Sequence, residues 1–221
     1  MNVIVFGATG MVGSGVLAEC IKEPQVQSVL AVGRNPCGVA HPKLRELIRS
    51  DFFDYSDARA DLKGYNACFF CLGVSAAGMT EAVYYRLTYD LTISVAGALT
   101  EINPKLTFCY VSGEGTDSTE RGHFMWARVK GKTENYLLRM PFNAYMFRPG
   151  LIQPLTGVRS KTKLYRAFYS MLGPLFPLLK RLFPKHVTTT ENLGRAMIRV
   201  AANGYSKRVL ENTDINVLGE T

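Results

Sequence analysis

An apolar run that breaks into regularly spaced glycines, and then resumes with helical periodicity, limits this chain more than any other feature. Asn2-Val3-Ile4-Val5-Phe6 reads as a strand buried on both faces. It ends in Gly7-Ala8-Thr9-Gly10-Met11-Val12-Gly13, and Val12, Val16, Leu17, Cys20 and Ile21 follow at three- and four-residue spacing until Pro24 stops them. Strand, glycine turn and helix in that order form the context of a dinucleotide site. Gly7 permits the sharp turn and Gly10 lets backbone approach a pyrophosphate. Gly13 lets the helix pack against the strand, while Thr9, Met11 and Val12 sit where the helix N-terminus turns N–H groups and positive dipole towards phosphate.

The G-x-x-G-x-x-G phrase from Gly7 to Gly13 resembles the extended and atypical short-chain dehydrogenase/reductase proteins, the epimerase-like and NmrA-like branch. The resemblance can be followed unevenly to about Gly204. It implies a Rossmann-type doubly wound parallel sheet with helices on both faces and a small helical C-terminal elaboration. Strands alternating with helices throughout agree with that architecture. The expected organisation is one domain over residues 1–221, with 150–190 as a basic, apolar segment serving as substrate cap, dimer contact or membrane-facing surface.

Further strands are expected over Val26 to Gly33, Leu44 to Ser50, Tyr65 to Leu72, Leu106 to Val111 and Phe142 to Phe147. Their carboxyl ends should line the cofactor crevice. The second ends in Gly33-Arg34, where an acid would bond both ribose hydroxyls and an Arg would attract a 2′-phosphate. No acid is present. A charge-assisted bond contributes on the order of 1.5–3 kcal/mol, so Arg34 predicts NADP(H) over NAD(H). Resemblance alone assigns Asp51 and Phe52 to the adenine pocket, whereas Cys71, Leu72 and Gly73 fall at the end of the fourth strand. Met79 to Glu101 reads as one long helix whose tyrosines face substrate, core or a dimer partner.

The family's catalytic helix carries Tyr-x-x-x-Lys, with a Ser about a dozen residues upstream. The Tyr exchanges the proton, the Lys favours its phenolate and bonds the nicotinamide ribose, and the Ser polarises the substrate oxygen. By this resemblance Ser112 and Lys130 are the catalytic residues, but Trp126 stands at the Tyr position. Indole N–H cannot shuttle a proton. His123 offers a substitute one turn earlier, or has no catalytic task; Tyr110 reads as core. Arg148-Pro149-Gly150 is similar to a turn that the family places beside the nicotinamide. Two readings stay open: an oxidoreductase or epimerase-like enzyme acting on a small carbonyl or hydroxyl compound, and a non-catalytic NADP(H)-binding sensor.

The formal charge of +8 belongs to one segment. Between Glu134 and Glu191 there is no acid and nine basic residues, leaving 17 basic against 18 acidic elsewhere. Leu164 to Phe183 carries an apolar stripe flanked by that charge, interrupted by Pro174 and Pro177, which argues against a membrane span. A cap or homodimer helix, peripheral contact with anionic lipid, and an anionic small-molecule substrate remain as expectations; nucleic acid does not. Five cysteines without disulfide-framework spacing, and a first strand starting at residue 2, set the expectation of a non-secreted, cytoplasmic protein with no metal site. Cys68 and Cys71 have redox-motif spacing but should point to opposite faces of a strand.

Overall fold

Unbroken Val, Ile and Phe runs form strands that can only be buried between two layers. The computed structural model, which describes residues 1–154, 176 and 181–220, arranges them so. In chain order the strands are β1 (Asn2–Phe6), β2 (Ser28–Gly33), β3 (Leu44–Ile48), β4 (Ala67–Phe70), β5 (Thr107–Val111), β6 (Asn143–Arg148), β7 (Leu151–Gln153), β8 (Val187–Thr189) and β9 (Val209–Glu211). Seven of them make one sheet in the order β3-β2-β1-β4-β5-β6-β9, parallel at every pairing. Strand order reverses between β1 and β4, and a crevice opens at the carboxyl ends there. The expected doubly wound Rossmann-type sheet is the observed one.

Alternation along each strand divides the core in two. Val3, Val5, Phe69 and Phe147 face helices α1 (Met11–Lys22) and α5 (Thr190–Asn203), together with Leu193 and Met197. Ile4, Phe6, Phe70 and Phe108 face Val95 and Leu99 of α3 (Leu91–Ile102) and Leu137 of α4 (Met125–Leu137). Cys68 lies on the second side and Cys71 packs against the first, so the two thiols do face opposite ways. Burial pushes the Cys71 thiol up to about 12, which makes it inert.

Helices α1 and α5 lie against one another through small residues. A Cβ on Gly15 would fall 2.3 Å from Thr190 Cβ. Glu19, buried between the helices, takes Lys22 at 2.7 Å and Arg195 at 2.9 Å.

Three elements depart from the sequence reading. The run from Met79 is not one helix: α2 (Glu81–Tyr85) passes through a π-helical turn (Arg86–Asp90) into α3. β7 and β8 form a separate two-stranded parallel sheet. A last helix, α6 (Asn212–Glu220), follows β9 where the sequence reading ended in a strand. The basic segment expected at 159–185 lies outside the described residues except for 176 and 181–185. Of these, Leu182 and Phe183 are exposed. No helix among the described residues is long and apolar enough to cross a membrane.

Candidate functional site

At the end of β1 the chain turns on Gly7, whose φ of +80° is a left-handed conformation that an L side chain rarely adopts. Gly10 N–H closes the turn on the Gly7 carbonyl at 2.9 Å. A Cβ on Gly13 would sit 2.2 Å from that carbonyl oxygen, so α1 can approach β1 only with glycine there. Gly10 caps α1 without a side-chain hydrogen bond, and the ladder begins with Ser14 N–H to the Gly10 carbonyl. The N–H groups of Met11, Val12 and Gly13 therefore have no partner within the helix, which leaves donors and positive dipole at its mouth.

Gly7 and Thr9 of this turn line a cleft of about 300 Å³ with Arg34, Asp51, Phe52, Leu72 and Gly73 among others, whereas Gly10, Met11, Val12 and Gly13 are not in its wall. Seven residues singled out from the sequence thus share one space. Arg34 is exposed at its rim, whereas Phe52 is buried in its wall. Asp51 accepts the Phe53 N–H at 2.7 Å. Cys71 is not in the cleft's wall; its side chain packs against the core, and its carbonyl atoms would lie 3.0 Å from a Cβ on Gly7. Sequence reasoning missed Phe53, Val74, Leu87 and Leu91, which line the same space. Phe53 had a signal, since it directly follows Phe52; the others are ordinary apolar positions.

Val74 also lines a second cleft of about 300 Å³, walled by Ser75, Ala76, Ala77, Tyr84, Trp126 and Lys130. The two spaces adjoin there. α4 carries Trp126 and Lys130 into this inner cleft one turn apart, and the edge of the Trp126 ring would be 3.3 Å from a Cβ on Gly115. The Lys130 ammonium donates to the backbone carbonyl of Ser112. Burial lowers its pKa to about 8, against the opposing charge of Glu134. The loop after β5 is held in place by Asp117, which accepts from the Thr119 hydroxyl and from the N–H groups of Arg121 and Gly122. Those bonds, the Thr119 hydroxyl first, lower its pKa to about 2.

Two site residues behave differently from expectation. Ser112 does not present its hydroxyl to a substrate: the residue is 3% exposed, and Oγ lies within bonding distance of Glu134 Oε1 and the Phe147 carbonyl. Arg148 does not turn its side chain to a cofactor. Its guanidinium grips both oxygens of Glu134 and also reaches Ser118 at 2.6 Å and Glu211 at 3.2 Å. Both corrections have one cause, a buried carboxylate on α4 that needs partners. Glu134 was missed in the sequence, although its place four residues after Lys130 puts it on the same helix face. Pro149 stays near the site through its carbonyl, which accepts the Glu114 N–H at 2.9 Å.

The other candidates fall away. His123 is exposed and precedes α4 instead of riding on it. Tyr110 is core, as read. Tyr84 alone of the α2 tyrosines reaches the inner cleft. Tyr85 and Tyr89 pack with their rings tilted at 4.8 Å, Tyr89 meets Tyr136 edge-on at 5.8 Å, and Lys132 lies over the Tyr85 and Tyr89 rings.

No protein-family model matches the chain. Its sequence is similar to "Protein fmp52-2, mitochondrial" of Aspergillus terreus, 29% identical over 77% of this chain and 75% of that protein. It is likewise similar to "Protein fmp52-2, mitochondrial" of Aspergillus oryzae, 28% identical over 97% of this chain and 95% of that one. The names of these relatives overturn the cytoplasmic expectation, which rested on cysteine usage and an early first strand and could not see an organelle.

Among solved structures, a short chain dehydrogenase family protein from Francisella tularensis superposes with a TM-score of 0.64 at 13% identity, over 92% of this chain and 91% of that one. The Bordetella bronchiseptica enzyme WbmF, solved in complex with NAD+, gives 0.64 at 15% identity over 99% and 77%. The fold neighbours are thus short-chain dehydrogenase and epimerase proteins, as the glycine turn suggested.

Proposed function

We propose that the chain binds a nicotinamide dinucleotide along the two adjoining clefts, NADP(H) in preference to NAD(H), and reduces a small carbonyl compound or performs an epimerase-like step on one. The observation that carries this reading is the convergence of Gly7 and Thr9 of the turn, Arg34, Asp51 and Phe52 on one cleft that shares Val74 with the cleft holding Lys130. The residues fit the group, because a Cβ at Gly13 would strike the Gly7 carbonyl oxygen, so that only glycine lets α1 sit close enough to β1 to bring its first N–H groups beside the turn. When bound, the dinucleotide supplies a hydride. The chain's own residues hold it: backbone at Gly10 to Gly13 for phosphate, Arg34 for a 2′-phosphate, and Phe52 with Asp51 for adenine.

Calorimetric titration should therefore give saturable NADPH binding, tighter than NADH. Arg34→Ala should weaken NADPH about ten- to a hundred-fold and NADH far less, as loss of one charge-assisted contact predicts. Equal losses would remove the 2′-phosphate assignment.

A second reading, a non-catalytic nucleotide-binding sensor, is favoured by one observation, Trp126 in the inner cleft where a phenol would serve. Trp126→Tyr decides between them. With Lys130 one turn away, a phenol there should raise NADPH-dependent reduction of simple aldehydes by on the order of a hundred-fold. A protein silent before and after the change, across a broad carbonyl panel, would support the sensor.

A further inference from the structure

We propose that Lys130 is itself the proton donor to the substrate oxygen in the inner cleft. This rests on the dinucleotide-binding reading above and supplies the acid that Trp126 cannot. Of the side chains that wall the cleft, two can ionise, Tyr84 and Lys130.

Tyr84 is poorly suited. It is 2% exposed, and burial pushes its pKa up, offset in part by its bond to Thr88. Lys130 is placed for the task. Its ammonium is fixed on the Ser112 carbonyl, and Gly113 beside it leaves space, since even a Cβ at 113 would be 4.0 Å from Nζ.

The charged groups around it do not neutralise it. Glu134 lies one turn behind, but its oxygens are taken by Arg148 and Ser112. Trp126, one turn before, is uncharged, and Tyr84 is the ionisable group it shares the cleft with. The Glu114–His186 pair is exposed and belongs to the loop and to the residue before β8. Burial brings Lys130 to about 8, close enough to working pH for a general acid.

The step balances. As the carbonyl carbon accepts a hydride from the reduced dinucleotide, the C=O π pair moves to oxygen. Lys130 releases one proton to that oxygen, forming O–H, and keeps the lone pair on Nζ. Water then returns a proton to the amine.

The test uses the whole chain and 4-nitrobenzaldehyde. Reductive labelling with this aldehyde and cyanoborohydride, followed by peptide mass spectrometry from pH 6 to 10.5, reads which amines are neutral and reach a docked carbonyl. Lys130 should label with a midpoint near pH 8, and at pH 7.5 on the order of a hundred-fold faster than surface lysines of ordinary pKa. Labelling in step with the surface lysines, or none, overturns the proposal. In the NADPH-dependent reduction of the same aldehyde, Lys130→Met should lose on the order of a hundred-fold. Activity that survives this change moves the donor elsewhere and also overturns it. Calorimetry of wild type with NADPH is run alongside. Failure to bind removes the dinucleotide reading, and is seen separately from a Lys130 that titrates like any other lysine.

Discussion

Gly13→Ala is expected to abolish measurable dinucleotide binding and to destabilise the chain by about 2–3 kcal/mol, the upper part of the range for forcing atoms into a packed interior. The added methyl would stand 2.2 Å from the Gly7 carbonyl oxygen and 2.7 Å from its carbonyl carbon. Both are backbone, so no side chain can swing aside. Either α1 lifts from β1 or the turn at Gly7 shifts, and room beside Gly7 is short as well, since a Cβ there would lie 3.0 Å from the backbone of Cys71 and Leu72. Movement of either element displaces the N–H groups that would face a pyrophosphate. Gly97→Ala is the control. It lies in α3 with nothing within 4 Å of the new Cβ, and should be neutral or stabilising by up to about 1 kcal/mol. Denaturant unfolding and NADPH calorimetry on the two variants check both halves. A Gly13→Ala protein that binds and unfolds like wild type would mean that the turn is not a phosphate cradle.

That contrast also explains which parts of the molecule could be read from the sequence. Local structure was legible: the glycine turn from Gly7, the apolar strands, and the place of Arg34 at the end of β2 each follow from a few adjacent residues. Their convergence on one cleft then follows from a parallel sheet, whose carboxyl ends all lie on one edge. Contacts between distant elements were not legible. Ser112 reads as a substrate-polarising hydroxyl until Glu134, 22 residues on, is seen to claim it. Arg148 reads as a cofactor contact for the same reason. The β7–β8 pair is three residues a side, too short for periodicity to reveal. Tyr85 and Tyr89, four residues apart, pack together outside the cleft, while Tyr84, the residue before them, points elsewhere and enters it. Helical spacing groups Tyr85 with Tyr89 and sets Tyr84 apart, but it does not say which of the two faces meets the cleft.

Glu134→Ala is expected to cost about 3–5 kcal/mol, the usual consequence of removing one partner from a buried ion pair. The carboxylate is 1% exposed on its side chain and faces an Arg148 that is 12% exposed. Without it the guanidinium keeps Glu211 and Ser118 but loses its two-pronged partner, and the Ser112 hydroxyl keeps the Phe147 carbonyl. Glu134→Gln, which preserves shape and one acceptor, should cost less and fold well enough to be measured. Its second effect reaches the inner cleft. The Glu134 charge opposes the fall in Lys130's pKa, so removing it should move the Lys130 labelling midpoint below 8. The sign also appears in stability. Lys130 titrates lower folded than unfolded, so between about pH 8 and its ordinary value the unfolded chain holds a proton that the folded one has shed. Stability contributed by this residue therefore rises with pH across that window, and Glu134→Gln should extend the window downwards. Urea unfolding from pH 7 to 10.5 on wild type, Glu134→Gln and Lys130→Met reads this as the difference between wild type and Lys130→Met, because the buried thiols, whose pKa values burial raises, contribute a slope of opposite sign to all three. A midpoint that stays put or rises in Glu134→Gln would show that Glu134 holds Arg148 and Ser112 without governing the charge on Lys130.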